Sequence, residues 1–380
     1  MELGQYYTSE QFSTLLVDSI NSVHAENVLD IGCGQASLLN AARRRWNKAK
    51  LIGYDIDSKN LHISGDNNLH IEFGNGLDSN LSKKIIDNFG YIDISVANPP
   101  YVQVDVNSHI LDILKRSKLS ECLPRNIKRL PAEIIFLAQN ILVLKPGGEL
   151  GAILPASIIS GERWKGLREF LITEKSLSSV IQLPSNAFSR TEASTFVINL
   201  KNEPKLNQNI NLFSTQNNTQ LKINIESGIK RLDFFYHMKK LSKRMSALPS
   251  DTIIFRGKKS SKELKSEGGN YLHTSHLKDP FQFLEYKDSE ISSDRVFAKK
   301  GDFVVSRVGS RCIGRSGYIK SGSIEVSDCV TIIRRLPESK YLPLFQSGRL
   351  LSDITTFSLG TGAKYLTFNI IKEALEAYEL

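Results

Sequence analysis

Between residues 10 and 200 two hydrophobic rhythms alternate along the chain. Short apolar runs of strand type fall at 27–31, 50–55, 69–73, 91–97, 149–154, 178–182 and 194–200, while helical spacing fits 10–23, 36–46, 132–143 and 161–173. Strands interleaved with amphipathic helices predict a mostly parallel sheet covered on both faces. The firmest helix carries Glu133, Ile134, Phe136, Leu137, Asn140, Ile141 and Leu144 on its period and is expected to close at Pro146-Gly147-Gly148. Residues 102–131 follow neither rhythm. A long connection leaving a strand end predicts a mobile flap over a site.

The pattern changes after residue 200. Residues 201–228 are polar and rich in Asn, Gln and Thr, and read as a boundary with some strand content. A basic stretch follows, with Lys230, Arg231, Lys239, Lys240, Lys243 and Arg244. The remainder holds short strand-like pieces with Gly/Ser turns, then helical spacing at 342–353 and 369–379. Two domains are expected, 1–225 and 226–380, and 380 residues suffice for two cores. A formal net charge of +9 points to a polyanionic partner. Cys33, Cys122, Cys312 and Cys329 are scattered and lack metal-ligand spacing, so they read as reduced thiols and no metal is expected. Met1-Glu2-Leu3-Gly4-Gln5 lacks the form of a secretion signal, and no apolar run approaches membrane-spanning length. A soluble cytoplasmic protein is the expectation.

Several strand ends carry candidate chemistry. Val28-Leu29-Asp30-Ile31-Gly32-Cys33-Gly34 is an apolar strand ending in a carboxylate and a two-glycine turn. Glycine there permits close backbone approach to a ligand. The third glycine of the dinucleotide fingerprint is missing and no P-loop is present, which counts against an NAD-dependent enzyme. The next strand ends at Asp55, positioned to accept hydrogen bonds from ribose hydroxyls, although a helix cap or turn would also use an aspartate. Asn75 ends a third strand and can reach an adenine edge. Asn75 and Asp30 also suit turns for conformational reasons alone.

Asn98-Pro99-Pro100-Tyr101 ends the run Tyr91–Ala97. Two prolines stop the strand and stiffen the loop. The Asn98 amide oxygen and the Pro99 carbonyl are two acceptors beside the flat Tyr101 ring. An aromatic amine is a poor nucleophile because its lone pair is delocalised. Two acceptors for its N–H protons favour pyramidal nitrogen and release that pair. By itself the tetrapeptide reads first as a proline-stopped strand with an ordinary loop, and its neighbours reverse that reading.

Together these segments resemble the S-adenosylmethionine-dependent adenine-N6 DNA methyltransferases of restriction-modification systems. In that group the cofactor motifs come first, the catalytic loop second and the target-recognition region last. Gly4-Gln5-Tyr6-Tyr7-Thr8 resembles the amino-terminal motif, Asp30–Gly34 the cofactor turn, Asp55 the ribose ligand and Asn98–Tyr101 the catalytic tetrapeptide. The resemblance implies a Rossmann-like α/β methyltransferase domain with a mostly parallel seven-stranded sheet, followed by a C-terminal α+β target-recognition domain. It implies a cofactor set of Tyr7, Thr8, Asp30, Gly32, Gly34, Asp55, Ile56, Asn75, Gly76 and Asn98, and a catalytic set of Asn98, Pro99, Pro100, Tyr101 and Phe188. Ala187-Phe188-Ser189 resembles the later motif whose aromatic sandwiches the base; core packing at a strand entrance is the plainer role for Phe188. The group commonly has Asp where Asn75 stands.

The segment from Lys300 to Gly317 is similar to target-recognition domains of restriction-modification proteins, with looser likeness at Tyr341–Ser347 and Gly360–Ala363. It implies DNA contacts from Lys300, Arg307, Arg311, Arg315, Lys320 and Lys364, any of which is otherwise part of a solvated basic face. The implied reaction moves a methyl group from S-adenosylmethionine to N6 of a flipped-out adenine in double-stranded DNA. Flipping costs a few kcal/mol, which stacking on Tyr101 and Phe188 offsets by about 1–3 kcal/mol per base. A cognate restriction endonuclease is the expected functional partner. Cytosine-N4 transfer, protein glutamine-N5 transfer and a non-catalytic DNA specificity protein are the alternatives. The cytosine group usually has Ser at the Asn98 position. The glutamine enzymes lack both the Gly-Gln-Tyr-Tyr-Thr start and the basic carboxyl-terminal domain.

Overall fold

A computed structural model describes residues 8–62, 68–184, 187–188, 194–204, 209–216, 219–241, 247–288, 294–360 and 363–378. The chain divides into two compact units, Met1–Phe234 and Phe235–Leu380.

The first unit is built on strands β1 (Asn27–Ile31), β2 (Lys50–Asp55), β3 (Leu69–Phe73), β4 (Ile92–Ala97), β5 (Leu144–Pro155), β6 (Ser179–Gln182), β7 (Thr195–Lys201), β8 (Asn209–Ser214) and β9 (Thr219–Asn224). They form one sheet in the order β9-β8-β6-β7-β5-β4-β1-β2-β3. The expected seven strands are all present, and β8 and β9 extend the sheet to nine. This hairpin occupies the polar stretch read as a boundary. Its apolar residues alternate, with Ile210, Leu212 and Ile223 buried, so no continuous apolar run announces it. β7 runs antiparallel to β5 and β6, and β9 antiparallel to β8; the other pairings are parallel.

Helices cover both faces, and the period-2 alternation of β4 shows it. Ile94 and Val96 join the core beneath helices α1 (Glu10–Ser19) and α2 (Ser37–Arg45), with Phe12, Leu16, Leu39 and Ala42. Ser95, between them, donates its hydroxyl to Asn140 on the opposite face. Three further helices are α3 (Leu81–Phe89), α4 (Ser108–Arg116) and α5 (Ala132–Val143), and α5 carries Asn140 and packs against α3 and α4. α1 is shorter than predicted. α5 has its predicted span but does not close at Pro146-Gly147-Gly148. That tripeptide lies inside β5, where the register with β4 jumps from Ile92↔Leu144 to Ile94↔Glu149 and Gly147 takes φ +74°. It is a bulge, not a helix stop. The predicted helix 161–173 resolves into a 3₁₀ turn Glu162–Trp164 and α6 (Lys165–Thr173), and a short helix Ala156–Ser160 precedes it.

The first unit extends past residue 225 because α6 holds the next helix. The Arg168 guanidinium, 1% exposed, donates to the carbonyls of Ile158, Gly161, Ile229 and Lys230 at 2.7–2.9 Å, fastening the end of helix Ile225–Lys230.

The second unit is α+β. Strands β10 (Ile253–Arg256), β11 (Phe281–Glu285), β12 (Phe303–Ser306), β13 (Ser316–Ser321) and β14 (Val330–Arg334) form a sheet in the order β10-β14-β12-β13-β11. One face, with Phe303, Val305, Tyr318 and Ile333, packs on helices Glu338–Gln346, Arg349–Phe357 and Phe368–Glu376. The other, with Val304, Ile319 and Ile332, covers a smaller sheet of Tyr271–Leu272, Ser323–Val326 and Phe297–Lys299. Gly348, at φ +71°, breaks the single helix predicted for 342–353 into two. Among the described residues no helix is long and apolar enough to cross a membrane.

Candidate active site

The carboxyl ends of β1, β2, β3 and β4 open into one cavity of about 730 Å³, where open α/β sheets place their ligands. Its wall includes Thr8, Asp30, Gly32, Gly34, Asp55, Ile56, Asn75, Gly76 and Asn98, which is every predicted cofactor residue except Tyr7. Tyr7 lies outside the described residues.

The turn after β1 is held by backbone. The N–H groups of Gly32 and Cys33 both donate to the Tyr54 carbonyl of β2, at 2.6 and 3.1 Å. Gly32 adopts φ +82°, a conformation that favours glycine. Asp55 accepts the Gly34 N–H at 2.7 Å through Oδ2 and the Asp57 N–H at 2.8 Å through Oδ1, so its carboxylate is oriented by two turns at once. Asp30 is 1% exposed, and its Oδ1 has no hydrogen-bond partner among the described residues. Burial, and after it the Asp55 charge, raises its pKa well above the usual carboxylate value. Burial also pushes the Cys33 thiol up, so it stays protonated and is no nucleophile.

The third turn is shaped by α5. A Cβ on Gly76 would come within 2.4 Å of the Phe136 ring, and one on Gly32 within 3.2 Å. One aromatic tip therefore forms the floor under both turns, and only glycine at position 76 admits it. Gln139, fully buried, donates its amide N–H groups to the carbonyls of Gly76 (3.1 Å) and Asp78 (2.7 Å). The Asn75 oxygen accepts the Leu77 N–H at 3.0 Å, so its side chain works within its own turn. Phe136 was missed as a site residue because helical periodicity marks it as an ordinary core position, and Gln139 because it lies off that period with no motif of its own.

The catalytic-loop side is organised differently. Asn98 donates its side-chain N–H to the Thr8 hydroxyl at 3.0 Å, which fixes the amide plane. Asn98, Pro100 and Val102 line the cavity; Pro99 is buried behind them. Tyr101 is half-buried and Phe188 is 5% exposed, and neither is among the lining residues. Phe188 packs in the core against Phe12, with ring centroids 6.0 Å apart. The irregular segment 102–131 forms an antiparallel strand pair, Gln103–Asp105 with Arg129–Pro131, with helix α4 between them, capped by Asn107, whose Oδ1 accepts the Ile110 N–H at 3.0 Å. Val104, Asn107, Ile110 and Arg129 extend the cavity wall from it.

The six predicted DNA-contacting cations fall at two ends of the second unit's sheet. Lys300 and Lys320 flank one end of the β12–β13 hairpin, where the Lys300 N–H donates to the Gly322 carbonyl and the Lys320 ammonium lies 4.1 Å from the Phe283 ring centroid. Arg307, Arg311 and Arg315 lie in or beside the loop at the other end, and Lys364 joins them because its carbonyl accepts the Gly309 N–H at 2.9 Å.

Comparison with known proteins agrees with this architecture. The N-6 DNA Methylase family profile matches residues 1–246. The type II methyltransferase M.BanIII of Aneurinibacillus aneurinilyticus is 27% identical over 202 residues, covering 48% of this chain and 34% of that protein. The type I restriction enzyme MpnII methylase subunit of Mycoplasma pneumoniae is 26% identical over 226 residues, covering 52% of this chain and 40% of that protein. The chain thus matches well under half the length of these relatives. Among solved structures, the type IIG restriction endonuclease BpuSI shares the fold at a TM-score of 0.52 and 11% identity, over 97% of this chain and 58% of that one. With the profile spanning the whole cofactor-type sheet and the Asn-Pro-Pro-Tyr loop, the chain belongs to the N-6 DNA methylase family.

Proposed function

We propose that this chain is the modification enzyme of a restriction-modification system, methylating N6 of a flipped-out adenine in double-stranded DNA with S-adenosylmethionine as donor. The observation that carries the reading is the meeting of two kinds of wall in one cavity. Carboxylate-bearing glycine turns form one side, and Asn98, Pro100 and Val102 of the proline-stiffened loop form the other.

The residues present suit the cofactor. Asp30 offers an unpartnered buried oxygen among the described residues, which suits a cationic amino group. Asp55, oriented by Gly34 and Asp57, suits a ribose diol. Ile56, Leu38 and Leu77 supply apolar wall for an aromatic base. S-adenosylmethionine supplies an activated methyl group when bound. The chain's own part is positioning, the source of much of the acceleration in such transfers. The Asn98 amide oxygen and the Pro99 carbonyl accept the two N–H protons of the adenine amine, and the Thr8 contact keeps the amide from rotating. Tyr101 and Phe188 are the proposed stacking partners of the base; both must become accessible to it. The second unit supplies duplex contacts through its arginines, and a cognate restriction endonuclease is the functional partner.

Tritiated-methyl labelling of duplex DNA, followed by nucleoside analysis, tests the reading. N6-methyladenine as the labelled product is expected. Label in cytosine, in protein or in no polymer overturns it.

A further inference from the structure

The two ends of the second unit's sheet are not equivalent. Arg256 is the last residue of β10 and lies opposite Thr331 of β14, while Ser306 of β12 lies opposite Val330. Arg256 and Arg307 therefore flank the beginning of β14 on either side, with backbones about 10 Å apart from two strand spacings. The loop beyond β12 closes on itself through Gly314 N–H to the Ser306 carbonyl and Ser306 N–H to the Arg315 carbonyl, both 2.8 Å. This brings Arg307, Arg311 and Arg315 together, with Lys364 fastened alongside at Gly309.

These five cations share a second property. None forms an ion pair among the described residues, whereas elsewhere in the unit Arg334 pairs with Asp302 at 2.7 Å, Arg295 with Glu325 at 3.1 Å and Lys259 with Glu267 at 2.6 Å. Of the neighbouring acid Asp328, it is the main-chain carbonyl that takes an Arg307 N–H, at 3.3 Å. Burial, and after it the Arg256 charge, lowers the Arg307 pKa, so the two guanidiniums sense each other. An arriving anion relieves that repulsion.

Arg307 stands apart within the group. Its N–H donates to the Cys329 carbonyl and its own carbonyl accepts the Leu366 N–H at 2.8 Å, so its backbone is fixed on both sides. Its guanidinium is half-buried, and its enclosed Nε–H has no acceptor among the described residues. Arg256 and Arg311 are exposed. A pre-oriented planar fork loses little freedom on binding and suits bidentate recognition of guanine O6 and N7; exposed cations suit phosphates.

We propose that this end of the sheet, and not the Lys300–Lys320 end, is the DNA-reading surface, with Arg307 setting base preference and Arg256 holding a phosphate. The proposal rests on DNA being the substrate. Its test is duplex binding by the full chain, followed across salt concentrations, together with selection of bound sequences from a random duplex library. Arg256→Gln is expected to weaken all duplexes alike, about tenfold, and to reduce the slope of log K against log salt by about 0.9. Arg307→Lys is expected to relax the selected sequence at one position. Lys300→Gln with Lys320→Gln is expected to change affinity less than twofold. A wild-type chain that selects no duplex sequence overturns DNA as substrate. A wild-type chain that selects one, with Arg307→Lys selecting the same sequence or the lysine pair losing more affinity than Arg256→Gln, overturns this placement alone.

Discussion

In the first unit the candidate chemical groups are short side chains and turns held by hydrogen bonds, and in the second they are long cations left largely to themselves. Asp55 is held by two N–H groups, Asn98 by Thr8 and the Gly76 turn by Gln139. Arg256, Arg311 and Lys364 have no hydrogen-bonded anchor for their charged ends among the described residues. The difference suits the proposed function. Methyl transfer to a poorly nucleophilic amine depends on ångström-level placement, which suits Asp55 and Asn98, held by hydrogen bonds at strand ends. Attraction to a polyanion works over a Debye length and tolerates mobile charge.

The sharpest break in this contrast is Asn98→Ala. Removing a positioned acceptor is expected to lower the methylation rate by about 10³-fold, while calorimetry with S-adenosylhomocysteine shows cofactor affinity within about threefold. Equal loss of both would mean that Asn98 holds the turn and not the substrate.

Next in size is a test of how rigid the locked half is. Glu133, at the start of α5 beside the cavity wall, is 4% exposed, and its Oε2 has no partner among the described residues. Burial pushes its carboxyl up to about 7. The folded chain thus binds this proton more tightly than the unfolded one, whose value lies near 4.3. The stability it contributes is complete at low pH and is lost as pH rises from about 4 through 7. Glu133→Gln is expected to raise the melting temperature at pH 8 and leave it unchanged near pH 4.5. The gain is on the order of 3 kcal/mol at most. A variant equally stable at both pH values would place the charge in a solvated environment.

A smaller effect is expected from Gly76→Ala. The new methyl would meet the Phe136 ring at 2.4 Å, so the turn must shift. Affinity for S-adenosylhomocysteine should fall about tenfold, and Phe136→Leu in the same chain should recover part of it by opening the floor. If the single variant binds as wild type, the floor under the two turns is not rigid.

How much of this was legible in the sequence followed the same division. Strands such as β1 and β4 are buried on both faces and announce themselves as apolar runs ending in Asp30 and Asn98, so their positions and the site at their ends were readable. β8 and β9 were readable only as some strand content within a polar boundary, because the polar half of a half-buried hairpin resembles a linker. The Pro146-Gly147-Gly148 bulge was read as a helix stop because a bulge and a turn use the same residues. α3 and α4 each bury one face of three residues, Leu81, Ser82 and Ile85 in one and Ile110, Ile113 and Leu114 in the other, a helical spacing short enough to pass unread between the stronger apolar runs. In the second unit the cations were readable as residue types but not as two separate ends, since the division depends on the antiparallel β12–β13 register. Arg256 escaped notice altogether, lying far from the Gly/Arg-rich loop in sequence and beside it only through β14.

The added hairpin has a consequence for how the large sheet meets solvent. An outermost strand presents unsatisfied backbone donors and acceptors to any other chain that passes. In β9, Thr219, Gln220, Lys222 and Asn224 are solvent-exposed and only Ile223 is buried, while Gln220 reaches across to Asn211 at 3.2 Å. The same polar composition that made this stretch read as a boundary makes it a poor template for association, so the rim it forms discourages stacking of one molecule on the next.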